Sequence, residues 1–207
     1  VEQNAGRADV MVLSTDTLIY GGLVDSRKHN IPLSTLESRL KRIESLKARN
    51  KNVRIYGFGT VMRSPRASGG GTEPAYYAEY GPTIFQIAAL QDKLDSGSLT
   101  QEETQKLMSL QASVPVEYLQ DWFDRRQKNM KINKELIDET RSGVFDYFAL
   151  GHDDTSQLSQ SALESRYLSK YSKDIPVEKY GSFPGADQLG LLLMARSRTD
   201  ESTEKPT

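Results

Sequence analysis

The chain has 207 residues, with 27 lysines and arginines against 28 aspartates and glutamates, and its formal net charge of -1 offers no electrostatic argument for nucleic acid or an anionic membrane. It contains no cysteine, which excludes disulfides, thiolate catalysis and cysteine metal sites and leaves the redox compartment open. At 37% hydrophobic and 27% charged residues it is long enough and apolar enough to bury a core as one domain, and no apolar run reaches the ~18 residues that a membrane-spanning helix needs.

Residues 1–7 are polar, and "ADVMVLSTD" (Ala8 to Asp16) is a compact apolar run closing on Ser-Thr-Asp, which predicts a buried strand over about 8–16. A glycine-containing loop, "YGGLVDSRKHN", is expected next. From Pro32 to Asn50, leucine or isoleucine at 33, 36, 40, 43 and 46 gives helical spacing, with Ser34 as N-cap and Glu37 completing a capping box. "VRIYGFGTVMR" predicts a second strand over about 53–62, and strand–helix–strand at this size implies a parallel pair with a right-handed crossover.

Residues 64–82 read as a long loop, least ordered over 66–75, with the glycines at 69–71 as a hinge and with Tyr76, Tyr77 and Tyr80 available to a ligand. Residues 83–142 are expected to form a helical insertion, its last helix opening at Pro115 and closing at Gly143. Within it Arg125, Asn129 and Asn133 lie four apart on one face, read as solvated, while Trp122 and Phe123 read as core. "VFDYFALGHDD" predicts a third strand over about 144–151, followed by a short helix, a further strand or loop, and a helix in "GADQLGLLLMARS". The polar tail 199–207 is expected to be disordered. The whole, 1–207, reads as a single α/β domain of parallel strands with crossover helices, barrel-like or doubly wound, the barrel preferred because every strand end carries polar groups.

Binding groups of parallel α/β folds collect at the carboxyl ends of the strands. Asp16, Arg63 and His152-Asp153-Asp154 end the three expected strands, although caps and turns would also place polar groups there. Two adjacent carboxylates cannot both aim at one atom, so Asp153 is assigned to a cleft and Asp154 to the start of the following helix. Asp16 and Asp153 are the candidate catalytic carboxylates. The loop Tyr20 to Arg27 should join them, Gly21 and Gly22 letting backbone approach a ligand and Arg27 binding an anion or a sugar hydroxyl. Phosphate-loop and dinucleotide fingerprints are absent.

"ADVMVLSTDTLIYGGLVDSR", "YGFGTVMRSPR", "RRQKNMKINKELI", "DYFALGHDDTSQLSQSALE" and "GADQLGLLLMAR" together resemble the bacterial domain-of-unknown-function family 4127 (DUF4127), in order and spacing from Ala8 to Arg196. The resemblance implies an internal part of a longer protein, with a further amino-terminal strand and further sequence after the last block, and it brings no activity with it. It also implies an acidic or glycine residue where His152 stands and a "GADE" motif at 185–188, of which Asp187 matches as a substrate-binding residue and Gln188 lacks the charge.

Three functions are compatible with these residues. The first is a hydrolase, expected to act on glycosidic bonds, with Asp16 and Asp153 as its carboxylates and Tyr20, Gly21, Gly22, Arg27, Arg63, His152, Asp154 and Asp187 around the substrate. The second is a non-catalytic domain binding a polar metabolite or carbohydrate. The third is a metal-dependent hydrolase holding a divalent cation on Asp16, His152, Asp153 and Asp154. The expected partner is a small molecule or carbohydrate; neither the oligomeric state nor a cytoplasmic or exported location is legible. The first residue is Val1 rather than Met, which suggests that an upstream segment has been removed.

Overall fold

The computed structural model of the chain describes residues 1–67, 71–154 and 156–204, with side chains as far as residue 200. After one helical turn, α1 (Glu2–Ala5), the strand β1 (Val10–Ser14) enters a sheet completed by β2 (Arg54–Val61), β3 (Tyr147–His152) and β4 (Tyr180–Pro184). The strands stand side by side in chain order and every neighbouring pair is parallel. Val12 lies beside Tyr56, Phe58 beside Ala149 and Leu150 beside Ser182.

β1 stops two residues short of its expected end. Ser14 accepts the Thr17 amide through its side chain and so caps α2 (Thr15–Tyr20). Asp16 therefore sits in the first turn of a helix rather than on a strand end. Gly21, at φ 108°, closes that helix in the left-handed conformation that favours glycine, and α3 (Leu23–Ser26) follows. The expected loop is thus largely two short helices.

α4 (Leu33–Arg49) is the crossover from β1 to β2. Its Leu36, Leu40, Ile43 and Leu46 join Leu13, Ile55, Val61, Phe148 and Leu150 in the main core, as the leucine spacing requires. The expected capping box does not form. The helix opens on Pro32, which makes no side-chain cap bond, and this leaves Ser34 already inside the first turn.

Between β2 and β3 come α5 (Tyr77–Asp95), α6 (Gln101–Ser113) and α7 (Val116–Ser142). The first two enclose a second core with Ile84, Ile87, Leu107 and Trp122. α7 is shared: Trp122 belongs to that second core, whereas Ile132, Leu136 and Ile137 pack in the main one. It is the crossover helix, and α5 and α6 are the added part. The loop tyrosines are taken up here. Tyr77 is fully buried and donates to the Pro65 carbonyl, Tyr76 stacks on Tyr118 at 4.8 Å, and Tyr80 packs on the same ring.

α8 (Gln160–Tyr171) links β3 to β4 on the same face as α4 and α7, contributing Leu168 to the main core. α9 (Leu189–Glu204) covers the opposite face, seating Leu189 and Leu193 against Tyr56, Tyr147 and Ala149, with Val10, Val12, Phe58 and Phe183 around them. The sheet is open, with β1 and β4 at its edges. Among the described residues the parallel strands and crossover helices are the expected α/β arrangement, and the strands, standing in chain order, do not close into the preferred barrel.

The tail expected to be disordered from 199 instead continues α9 to Glu204, and residues 205–207 lie outside the described residues. Asp200 holds this end, accepting the Tyr56 hydroxyl at 2.7 Å. Of the hinge and low-order expectation for 66–75, residues 68–70 lie outside the described residues; beyond them Gly71 accepts the Lys28 ammonium and Glu73 is buried.

Ser159 caps α8, its hydroxyl accepting the Ala162 amide while its own amide donates to buried Asp92. Ser159→Ala is expected to cost about 1 kcal/mol, seen as a lower denaturant midpoint at unchanged slope.

Candidate functional site

The carboxyl ends of β1, β2 and β3 meet around the first turn of α2. Thr15 donates its hydroxyl to the Phe58 carbonyl at 2.9 Å, which pins that turn to β2. A Cβ on Gly59 would come within 2.5 Å of the Thr15 hydroxyl, so the approach needs glycine there. The next side chain, Asp16, is only 4% exposed and accepts the Thr60 hydroxyl at 2.8 Å. Burial pushes its carboxyl up to about 7 against the pull of the Thr60 hydroxyl and backbone amide, with the Asp153 charge adding to the rise and Arg27 opposing it.

Beside Asp16 runs a chain of alternating charges. Arg27 Nη2 donates to Asp153 Oδ2 at 2.5 Å, and its Nη1 lies 3.9 Å from Glu73 Oε1. Arg63 Nε donates to the same Glu73 oxygen at 2.7 Å, and its Nη2 donates to the Thr72 hydroxyl. Arg27 is 5% exposed and Glu73 4%, so these charges are largely withdrawn from solvent. Burial raises the Glu73 carboxyl above its ordinary range, with Arg63 and then Arg27 holding it back. The Arg27 Nε is buried without a hydrogen-bond partner. Asp153, Arg27 and Arg63, expected to share one edge, are thereby brought together. Glu73, which joins the two arginines, lies in a stretch that reads from sequence as a mobile loop and whose residues do not single it out.

Tyr20 stacks on His29 with ring centroids 5.0 Å apart, and its hydroxyl is buried and unpartnered. Burial, with Asp16 and Glu135 nearby, raises that phenol well above its ordinary value. Gly21 and Gly22 fold against the Asp25 carboxylate, which would lie 2.9 Å from a Cβ on Gly22, so here they serve a tight turn. The polar face of α7 corrects the sequence reading. Arg125, Asn129 and Asn133 are buried rather than solvated. Asn129 Nδ2 donates to the Ser26 carbonyl, Asn133 Nδ2 to the Thr60 carbonyl and Arg125 Nε to the His29 carbonyl. Three helix side chains therefore hold the segment that carries Arg27 and the end of β2 that carries Thr60.

The remaining expected residues stand apart. His152 turns toward α8 and β4, where Nδ1 meets the Ser165 hydroxyl at 2.6 Å and Nε2 the Ser182 hydroxyl at 2.5 Å. Asp154 does not cap α8, a task that Ser159 performs. It accepts the Ser156 amide at 2.9 Å and the Ser64 amide at 3.3 Å, tying two loops together. Asp187 is exposed in the turn before α9. Among the described residues no three histidine, aspartate or glutamate side chains are grouped as metal ligands. A cavity of about 370 Å³ bordered by Leu18, Arg39 and Ile43, and one of about 180 Å³ bordered by Met130 and Leu163, both lie away from the charge chain.

The Arg27 pairing changes what Asp153 should do. Asp153→Asn leaves a buried guanidinium with Glu73 alone, at 3.9 Å, and is expected to cost about 1–3 kcal/mol of stability, measured as a fall in the urea midpoint. A midpoint unchanged by the substitution would mean that Arg27 finds its charge balance elsewhere.

The family model described as "Protein of unknown function (DUF4127)" matches residues 1–207. No curated protein and no solved structure matches the chain. Among the described residues no helix is long and apolar enough to cross a membrane.

Proposed function

The chain belongs to the DUF4127 family, and from the geometry of its sheet edge we propose that it is a hydrolase in which Asp16 transfers the proton. The observation that carries this reading is a carboxyl group buried at the sheet edge, Asp16, 4% exposed and pushed up to about 7 by that burial, within the influence of a second carboxylate, Asp153, that is ion-paired to Arg27. A proton donor or acceptor works best when its pKa lies near the working pH, and two carboxyl groups in unlike surroundings can divide the roles of acid and anion. Asp153, with 17% of its side chain exposed, is the more accessible of the two and stands where substrate would first meet the edge.

A glycosidic bond is the finer proposal for the substrate. It rests on the two-carboxylate pattern alone, because Tyr76, Tyr77 and Tyr80 are packed among the helices rather than presented as a stacking platform. Chromogenic aryl glycosides, aryl phosphates and aryl esters, assayed across pH, test both levels. Turnover of an aryl glycoside that is lost in Asp16→Asn supports the reading in full. Turnover of another class lost in the same variant keeps the hydrolase and removes the glycoside, and glycoside or phosphate turnover unaffected by the substitution refutes the role of Asp16.

A second reading, a binding domain for a polar metabolite, is favoured by the unpartnered Nε of Arg27, a buried donor with capacity to spare. Calorimetric binding without turnover would decide for it.

A further inference from the structure

The hydrogen bonds of His152 have the form of an activated nucleophile. Ser182, on β4, is exposed, and its hydroxyl lies 2.5 Å from His152 Nε2. The other ring nitrogen, Nδ1, lies 2.6 Å from the Ser165 hydroxyl of α8. A neutral imidazole has one donor and one acceptor nitrogen. With the proton on Nδ1, given to Ser165, Nε2 is free to accept from Ser182. Burial lowers the imidazole pKa below its ordinary value, which favours that neutral form at physiological pH. A nucleophile within hydrogen-bond reach of a base that a third group orients is the general arrangement for covalent catalysis.

The sheet supplies a further part. Phe148 donates to the Lys179 carbonyl and Gly185 donates to the His152 carbonyl, so along β4 and its two flanking residues the backbone groups that face β3 are those of 179, 181, 183 and 185. Ser182 lies between them, and among the described residues β4 has no neighbour on its other side. The Ser182 amide therefore points outward at the open edge, where it can donate to an oxygen developing negative charge beside its own hydroxyl.

We propose that Ser182, His152 and Ser165 form a second reactive centre, distinct from the Asp16 edge, that accepts acyl groups from small esters. Ser182 Oγ bonds to the ester carbonyl carbon while its proton passes to His152 Nε2, and the carbonyl electrons move onto oxygen. The adduct collapses, the alkoxide departs, and it takes the proton from His152 to leave as the alcohol. Water then attacks the acyl-serine with the same proton transfers, releasing the carboxylic acid and restoring Ser182. Small esters are the class because the serine stands on an exposed edge strand, open to a compact substrate, and an ester leaving group departs with less protonation than an amine. Ser165 acts as a positioning residue.

The test is covalent. The folded chain is treated with diisopropyl fluorophosphate, in which the serine oxygen displaces fluoride, and the adduct is located by peptide mass mapping. The expected result is one adduct, on Ser182, absent from the heat-denatured chain and from Ser182→Ala, and formed at least ~100-fold more slowly in His152→Gln. Ser165→Ala should slow labelling and Ser165→Thr should restore it, as orientation through a hydroxyl requires. No adduct on Ser182, equal labelling of the denatured chain, or an undiminished rate in a folded His152→Gln would each overturn the proposal. The readout is an adduct rather than turnover, so its outcome is separate from that of the Asp16 hydrolase.

Discussion

Asp16→Asn is expected to raise stability above pH 7 while lowering the turnover proposed for the sheet edge. The sign follows from where the proton sits. In the folded chain the carboxyl is held near 7, above the 3.8 of the ordinary side chain. Between those values the folded state keeps a proton that the unfolded state has lost, so stability falls as pH rises from about 4 to about 7 and then levels off. The loss is on the order of 4 kcal/mol at ~1.4 kcal/mol per pH unit. An asparagine amide can still accept the Thr60 hydroxyl but cannot ionise, so the variant escapes this loss. At pH 5, about one pH unit into that range, the variant should already melt roughly 3–7 °C higher, and at pH 8 roughly 8–16 °C higher. Some slope will survive, because Glu139 is also raised to about 7, by burial and then by the charge of Glu44 and its hydrogen bond. Turnover should fall by at least ~100-fold, the usual contribution of a proton-transfer group. Opposite effects on stability and activity are the mark of a buried acid kept for function. Calorimetric melting at pH 5 and 8 decides the matter; a variant less stable than the parent at pH 8 would mean that Asp16 is ionised and structural.

The parallel sheet was legible because apolar runs of strand length alternate with helical periodicity, and that pattern is set by backbone geometry alone. What lies across the chain was not legible. Arg125, Asn129 and Asn133 read as a solvated face because polar residues at helical spacing normally meet water, yet here they satisfy the carbonyls of Ser26, His29 and Thr60. Two poor helix formers on one face were the available sign. Asp153 and Arg27 could be named as candidates from strand ends and the glycine turn, but Glu73 could not, because its place depends on where a loop of glycine and serine returns to the sheet. The Ser182 contact with His152 is similarly a product of register: Leu150 beside Ser182 puts the strand β4 hydroxyl level with the end of β3. The tail misled for a local reason, since its polar sequence does not reveal the Tyr56 bond to Asp200.

Arg126→Met is expected to be the most destabilising single change, costing about 3–5 kcal/mol, a large share of the ~5–15 kcal/mol that holds a domain folded. Arg126 is 1% exposed, and its Nε and Nη2 each meet one oxygen of Glu164 at 2.7 Å. Its remaining donors go to the carbonyls of Met62 at 2.6 Å and Arg63 at 2.9 Å, while the guanidinium lies 4.8 Å over the Trp122 ring. One side chain of α7 thus joins α8 and the exit of β2. Methionine fills much of the volume but leaves Glu164 as a buried uncompensated charge that keeps only the Gln160 amide, and takes the donor from the Arg63 carbonyl while Met62 keeps the Ser161 hydroxyl, so the penalty is the cost of those orphaned groups rather than the worth of the pair. Two further variants separate these terms. Arg126→Lys restores the charge without the planar fork and should recover only part of the loss. Arg126→Met combined with Glu164→Leu removes both charges together and should be more stable than Arg126→Met alone, with coupling of about 1–3 kcal/mol in urea unfolding. Strict additivity of the two substitutions would show that the loss comes from packing. The carbonyl that Arg126 holds belongs to Arg63, whose guanidinium carries Glu73 and through it meets Arg27. Loosening Arg126 should therefore also weaken any ligand binding at the sheet edge, without a change at Asp16 or Asp153.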